Sequence, residues 1–451
     1  MRTTDETTGA TAEGEGSRSA TWRNWSGHLR CTPAHWLRPR SEQELRDAVR
    51  GATSLRVAGS GHSFTPLVPT DQTLLSLERL SGIVSVDRER RRAEVWAGTT
   101  IAALGPLLAA EGLALANQGD IDRQAIAGAV ATGTHGTGLQ LGCIASRVVG
   151  CTLVTAGGEL LRVCEDENAE LLRAAPVSLG ALGVISRLEL ACEPRYNLRE
   201  RTWVEETDAL LRRFDEHAAA HRHFELFAFP FTGLALAKSL DREPFAPLPE
   251  GEPESPGSGF ARLLELNRQD PQAARRVFAE KFAQTPPSEG FGPSFRVFPS
   301  ERTDLFNEME YAVPLDGAVD VVREVLAAIE RADLPVLFPI ELRTVAADPL
   351  WLSPFHGEEG ERFATVAVHQ DAGLDFEPVF AVCEPILRAA AGRPHWGKIH
   401  TLEPAGLAPL YPRWDDFRAL RARLDPRGKL LSAPLRRLFG ESVAASAEAA
   451  S

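Results

Sequence analysis

A turn built from Gly59-Ser60-Gly61, followed at once by His62, constrains this chain more than any other stretch. Leu55 and Val57 read as a short apolar strand running into it. Successive backbone N–H groups in such a turn form a concave nest for an anion, and glycine lets a phosphate come close. His62 then stands at the rim, with Ser63 beside it. A second small-residue stretch, residues 127–138, reads as a loop and carries Gly128, Thr132, Gly133, His135 and Gly138. The two stretches lie about seventy residues apart with strand-patterned sequence between them. That arrangement points to one long phosphate-bearing ligand held from two sides. Gly59-x-Gly61 opens like a dinucleotide fingerprint, but Phe64 occupies the place of its third glycine. A nicotinamide-binding Rossmann unit would therefore lack the glycine that packs its helix against the sheet.

The chain has 451 residues, enough for two or three domains with substantial cores. A formal charge of −13 argues against nucleic acid or an anionic membrane as partner. Six cysteines form no CxxC pair, which favours buried, reduced thiols in a cytoplasmic protein over disulfides or zinc. No apolar run reaches the roughly 18 residues of a membrane span. Residues 1–20 and 439–451 are small and polar and read as disordered tails.

Ser41 and Glu44 form a capping box ahead of a helix carrying Leu45 and Val49. Residues 83–86, 93–98, 151–155 and 186–190 read as strands, and 100–111 as a helix stopped by Gly112. Many strands and few helices give an α+β domain over residues 21–195. From Tyr196 strands alternate with amphipathic helices, including 207–221 and 319–331, giving a second α+β domain over residues 196–395. Residues 243–258 and 285–294, rich in Pro, Gly and Ser, read as mobile excursions, one long enough to act as a lid. Residues 334–345 read as a strand with Glu341 and Arg343 on one face and Phe338, Ile340 and Leu342 on the other. Such a pair is either a solvated salt bridge or the lining of a pocket. His369, on the strand at 365–369, has the same two readings. Gly392 and Gly397-Lys398 fit the P-loop count, but Ile399 replaces the magnesium-binding hydroxyl, which rejects that motif.

Taken together, several blocks make the chain, over roughly residues 20–438, resemble the covalent-flavin oxidases of the vanillyl-alcohol-oxidase (PCMH) type. They are Gly59-Ser60-Gly61-His62-Ser63-Phe64, Asn117-Gln118-Gly119-Asp120-Ile121, residues 128–138, Glu308-Met309-Glu310-Tyr311, Glu341-x-Arg343 and His395-Trp396-Gly397-Lys398. Within that family the chain is most similar to the sugar-1,4-lactone oxidases, with alditol oxidases as near relatives. The resemblance implies an FAD-binding domain over residues 21–195, completed by a C-terminal segment at 396–438. A substrate cap at 196–395 would cover the flavin.

The same resemblance implies FAD attached covalently through His62. Gly59, Ser60, Gly61, Ser63, Thr132, Gly133, His135 and Gly138 would hold its pyrophosphate and ribityl parts. Val184 and Ile185 would lie against the nucleotide, with Gly128 and His395 also beside the cofactor. Glu341 would take or orient the proton of a secondary alcohol while hydride passes to the flavin. Arg343 and Lys398 would hold substrate oxygens and balance developing charge, and His369 would line the pocket. Gly119 would leave room for O₂, which favours an oxidase making hydrogen peroxide. Asp120 departs from the serine usual in alditol oxidases and puts a linear alditol in doubt. The implied substrate is a sugar lactone or polyol. A dehydrogenase with another electron acceptor, or a scaffold that has lost its flavin, are the alternatives.

Overall fold

The computed structural model describes residues 20–247 and 259–441, so the expected N-terminal tail lies almost wholly outside the described residues. Three strands pair in parallel, Thr73–Ser76 between His35–Leu37 and Leu55–Ala58. The helix Glu42–Gly51 carries the chain from one edge strand, His35–Leu37, to the other, Leu55–Ala58, burying Leu45 and Val49. Ser41 Oγ caps that helix by accepting from the Glu44 N–H, while the Glu44 carboxylate reaches back to the Arg40 N–H.

A five-stranded antiparallel sheet follows, in the order Leu160–Cys164, Val148–Val154, Val184–Ala191, Arg92–Trp96, Ile83–Asp87. The helix Ile101–Ala110 is capped by the Thr100 hydroxyl and followed by Gly112 at φ +77. Residues 127–138 are not one loop. Small side chains let Ile126–Thr132 coil as a helix, which Gly133 ends in the left-handed conformation at φ +76.

Beyond residue 195 an eight-stranded sheet dominates, antiparallel at every pairing. Its order is Ser288–Pro293, Tyr196–Glu206, Leu234–Pro244, His223–Ala228, Ile340–Ala346, Arg362–Asp371, Phe306–Pro314, Arg393–Pro394. Most of the stretch at 285–294, expected as a mobile excursion, is thus the edge strand Ser288–Pro293, where proline and glycine interrupt no second ladder. Residues 248–258 of the other expected excursion lie outside the described residues. The helix expected at 207–221 is two, Thr207–Arg212 and Phe214–Ala220. The strand expected from 334 begins only at Ile340, directly after Pro339.

The C-terminal aromatics find their partners in one another and in the core. Trp396 is fully buried and stacks on Tyr411 at 5.0 Å, and Phe439 packs on Trp414 at 5.6 Å. Glu441 pairs with Arg421 at 2.6 Å. Residues 439–441 therefore belong to the packed body and not to the tail expected from 439. The Phe64 N–H donates to Gly397 O at 2.7 Å, and the Thr65 hydroxyl to Trp396 O at 2.6 Å. The buried Arg56 guanidinium donates to the carbonyls of Leu67, Leu179 and Leu430. All six cysteines are free, four of them buried, while Cys31 and Cys164 are partly exposed. No helix among the described residues is long and apolar enough to cross a membrane.

Candidate active site

Two cavities meet at His62. The first, about 1280 Å³, is lined by the Gly59-Ser60-Gly61 turn, Gly128, Thr132, Val184 and Ile185. Most of its lining residues are glycine, alanine, serine or threonine, with Trp22, Arg56 and Glu78 among the larger ones. Gly61 holds φ +76, and a Cβ added to Gly128 would meet nothing within 4 Å. The second, about 660 Å³, shares His62, Ser63, Gln124 and Thr132 with the first. Its walls are charged, with Asp120, Glu308, Glu310, Glu341, Arg343 and Lys398 all facing it.

His62 Nδ1 is buried with no hydrogen-bond partner among the described residues. The ring lies 6.0 Å from that of Trp25. Burial, then the positive charges of Lys398 and Arg123, lower its pKa to about 4. The imidazole is consequently neutral near pH 7 and keeps a lone pair.

The charged wall follows from strand register. Glu308 sits opposite His369, and Glu341 opposite Ala367, so period two brings their side chains to one face. His369 Nε2 stands 3.5 Å from Glu308 and 4.0 Å from Glu341, while its Nδ1 bonds to the Pro339 carbonyl at 3.1 Å. The Lys398 ammonium rests on Glu308, with Glu310 at 4.0 Å. Burial alone would raise the Glu308 carboxyl, but Lys398 and His369 outweigh it and hold its pKa at about 2. His135 Nε2 meets Glu310 Oε1 at 2.7 Å, and His395 Nδ1 accepts the Gly397 N–H at 3.0 Å. Burial lowers the His395 pKa to about 4, in keeping with that acceptor role.

Arg343 donates from Nε to Glu225 at 2.6 Å and from Nη2 to Asp120 at 2.8 Å, with Glu341 Oε1 at 2.5 Å. That last contact is an ion pair out of hydrogen-bond alignment, and Glu341 Oε1 is otherwise unpartnered. Burial, and then Glu225 and Asp120, raise Glu341 to about 7 against the pull of Arg343. Asp120 also receives Arg302 at 2.8 Å and Lys238 at 3.3 Å. Burial would raise Asp120, but these cations hold it well below the usual carboxylate range.

Most of the residues singled out in the sequence meet here. Gly119, Asp120, His135, Glu341, Arg343, His369, His395 and Lys398 line the second cavity. Gly133 and Gly138 line neither cavity, contrary to expectation. Gly133 closes the helix Ile126–Thr132, and Gly138, at φ +146, bridges to Val345. A Cβ on Gly119 would approach the His135 carbonyl to 2.8 Å, so close packing alone already requires glycine there. Glu225, Lys238 and Arg302 were not foreseen, nor were the roles of Glu308 and Glu310. A charge inside an apolar strand, as in Leu234-Ala235-Leu236-Ala237-Lys238, was the available signal.

A glycine-walled cavity continued by a charged one defines a cofactor-dependent enzyme of the FAD-binding kind. Residues 33–163 match the family described as FAD binding domain. The overall fold is that of a Brevibacterium sterolicum cholesterol oxidase, with a TM-score of 0.79 and 17% identity over 93% of this chain and 96% of that one. Residues 188–438 match the family described as D-arabinono-1,4-lactone oxidase, and the chain belongs to that family. It is 38% identical to L-gulono-1,4-lactone dehydrogenase of Mycobacterium tuberculosis, over 94% of this chain and 100% of that protein. It is 34% identical to alditol oxidase of a Streptomyces species, over 92% and 98% respectively. Bovine (Bos taurus) L-gulonolactone oxidase is 28% identical over 94% and 99%. FAD is the cofactor, and the residues fit it: a cavity lined mostly by small residues includes an unpartnered imidazole nitrogen in its wall.

Proposed function

We propose that the protein is an FAD-dependent oxidase of a sugar-1,4-lactone, with His62 as the covalent anchor of the cofactor. The observation that carries this reading is the junction of the two cavities at His62. Bound FAD supplies the acceptor for the two electrons and hydrogen leaving the alcohol carbon. The first cavity suits the diphosphate-bearing part, because glycine and backbone amides line it. The second suits a small polyhydroxylated substrate, because its charged groups are already paired and present fixed dipoles.

Glu341 takes the hydroxyl proton. Its carboxylate is under-bonded, and a pKa near neutrality suits a base working near pH 7. Lys398 and Arg343 hold the substrate oxygens and favour the charge that develops as the proton leaves. His369 Nε2 lies between the carboxylates of Glu308 and Glu341, within ion-pair reach of each. The names of the relatives support a lactone or a polyol as substrate, and Asp120, held by three cations, is the difference that favours the lactone.

Oxygen as electron acceptor, giving hydrogen peroxide, fits glycine at position 119. The mycobacterial relative is named a dehydrogenase, so an alternative acceptor is the second reading. Stopped-flow bleaching of the flavin by aldonolactones and alditols tests the substrate. Peroxide formation set against anaerobic dye reduction tests the acceptor. Bleaching by alditols and not by lactones would overturn the lactone assignment.

A further inference from the structure

Lys238 is a buried lysine that lines neither cavity, yet it touches three carboxylates. It sits on the strand Leu234–Pro244 directly opposite Glu225, the residue that binds Arg343. Its ammonium lies 3.0 Å from Glu225, 3.3 Å from Asp120 and 3.7 Å from Glu200. Asp120 and Glu225 are thus clamped between two cations, Lys238 behind them and Arg343 in front. Beyond Arg343 stands Glu341.

We propose that Lys238 is a positioning residue: by sharing Asp120 and Glu225 with Arg343, it keeps that guanidinium available to Glu341 and so sets how readily Glu341 gives up its proton. This rests on the reading of Glu341 as the base.

The charges around Glu341 argue for it. On its own strand there is Arg343, on the adjacent strand Glu225, and on the second and third strands away Lys238 and Glu200. The loop at 119–121 brings Asp120, with Arg302 on it. From the other side come His369 and Glu308, with Glu310, Lys398, His135 and His395 behind them. On the Lys238 side three carboxylates, Asp120, Glu225 and Glu200, balance three cations, Lys238, Arg343 and Arg302. Removing Lys238 leaves Glu341 facing one negative charge in excess. Neutralising Glu200 leaves it facing one positive charge in excess. The two changes act on Glu341 in opposite directions, which a purely structural role for Lys238 would not produce.

The test is an infrared titration of the Glu341 carboxyl in the FAD-loaded protein, its band identified by its loss in Glu341→Gln. In Lys238→Met the midpoint is expected to rise by roughly one pH unit, so that about tenfold less Glu341 is ionised at a pH below it. Glu200→Gln lowers the midpoint, by less because Glu200 is partly exposed. Lys238→Arg returns it toward wild type. Unchanged midpoints, or shifts of the same sign in Lys238→Met and Glu200→Gln, overturn the proposal. If Lys238→Met does not fold, Glu200→Gln decides alone, and a midpoint that stays put or rises overturns it. The band reports on Glu341 whether or not lactones reduce the flavin. Failure of the lactone reading therefore shows separately, in stopped-flow.

Discussion

The two cavities that meet at His62 are made in opposite ways. One is lined mostly by glycine and other small residues, the other largely by buried side-chain charge. A backbone cradle needs only local turns and the absence of side chains, and recognises a ligand by close approach. A charged wall needs many strands in register, and each ion in it must keep a partner, because an unpaired buried charge costs several kcal/mol. The first region should therefore tolerate substitution at its rim and depend on one bond. The second should respond to the loss of almost any member.

The largest expected effect breaks the first region. His62→Ala should lose the covalent link entirely, with all FAD left in the supernatant after acid precipitation. Yellow pellets from both variant and wild type would reject the anchor. Next is the base proposed for the second region. Glu341→Gln should slow flavin reduction by about 10²–10⁴-fold. In wild type the reactive form is the carboxylate, so the rate should climb as pH rises through about 7. That limb should vanish in the variant, and a retained limb would assign it to another group.

Lys398→Ala should slow reduction by roughly 10²-fold with little change in FAD content. It should also lower stability by about 3 kcal/mol, because buried Glu308 loses its lysine and keeps only His369 beside it. Denaturant melts and stopped-flow together separate the two effects. The smallest change is Gly119→Ala, whose Cβ must push the His135 carbonyl, at a cost of about 1–3 kcal/mol. Reoxidation by O₂ should slow more than reduction by substrate. Equal slowing would mean that the glycine serves packing alone.

The same contrast governs what could be read from the sequence. The glycine turn, His62 and the capping Ser41 are local signals, complete within a few residues. Glu341 and Arg343 were legible as a pair, since period two puts them on one face whatever lies alongside. Their partners were not. Glu225 lies 118 residues from Arg343 and meets it only through the strand order of the large sheet, while Asp120 lies 223 residues away and arrives on the loop at 119–121. Residues 127–132 misled because alanine and glycine suit a tight loop and a closely packed helix alike. The edge strand at 288–293 misled because its glycines and proline are loop residues in any other position.

The hydrogen bonds from Phe64 and Thr65 to Gly397 and Trp396 have a consequence for biosynthesis. Thr65 and Trp396 are 331 residues apart, and a ribosome adds residues at about 5–20 per second. His62, the proposed anchor, is thus translated early and waits until nearly the whole polypeptide has emerged before its surroundings are complete. Cofactor capture should follow chain release, and nascent chains stalled ahead of Trp396 should carry no flavin.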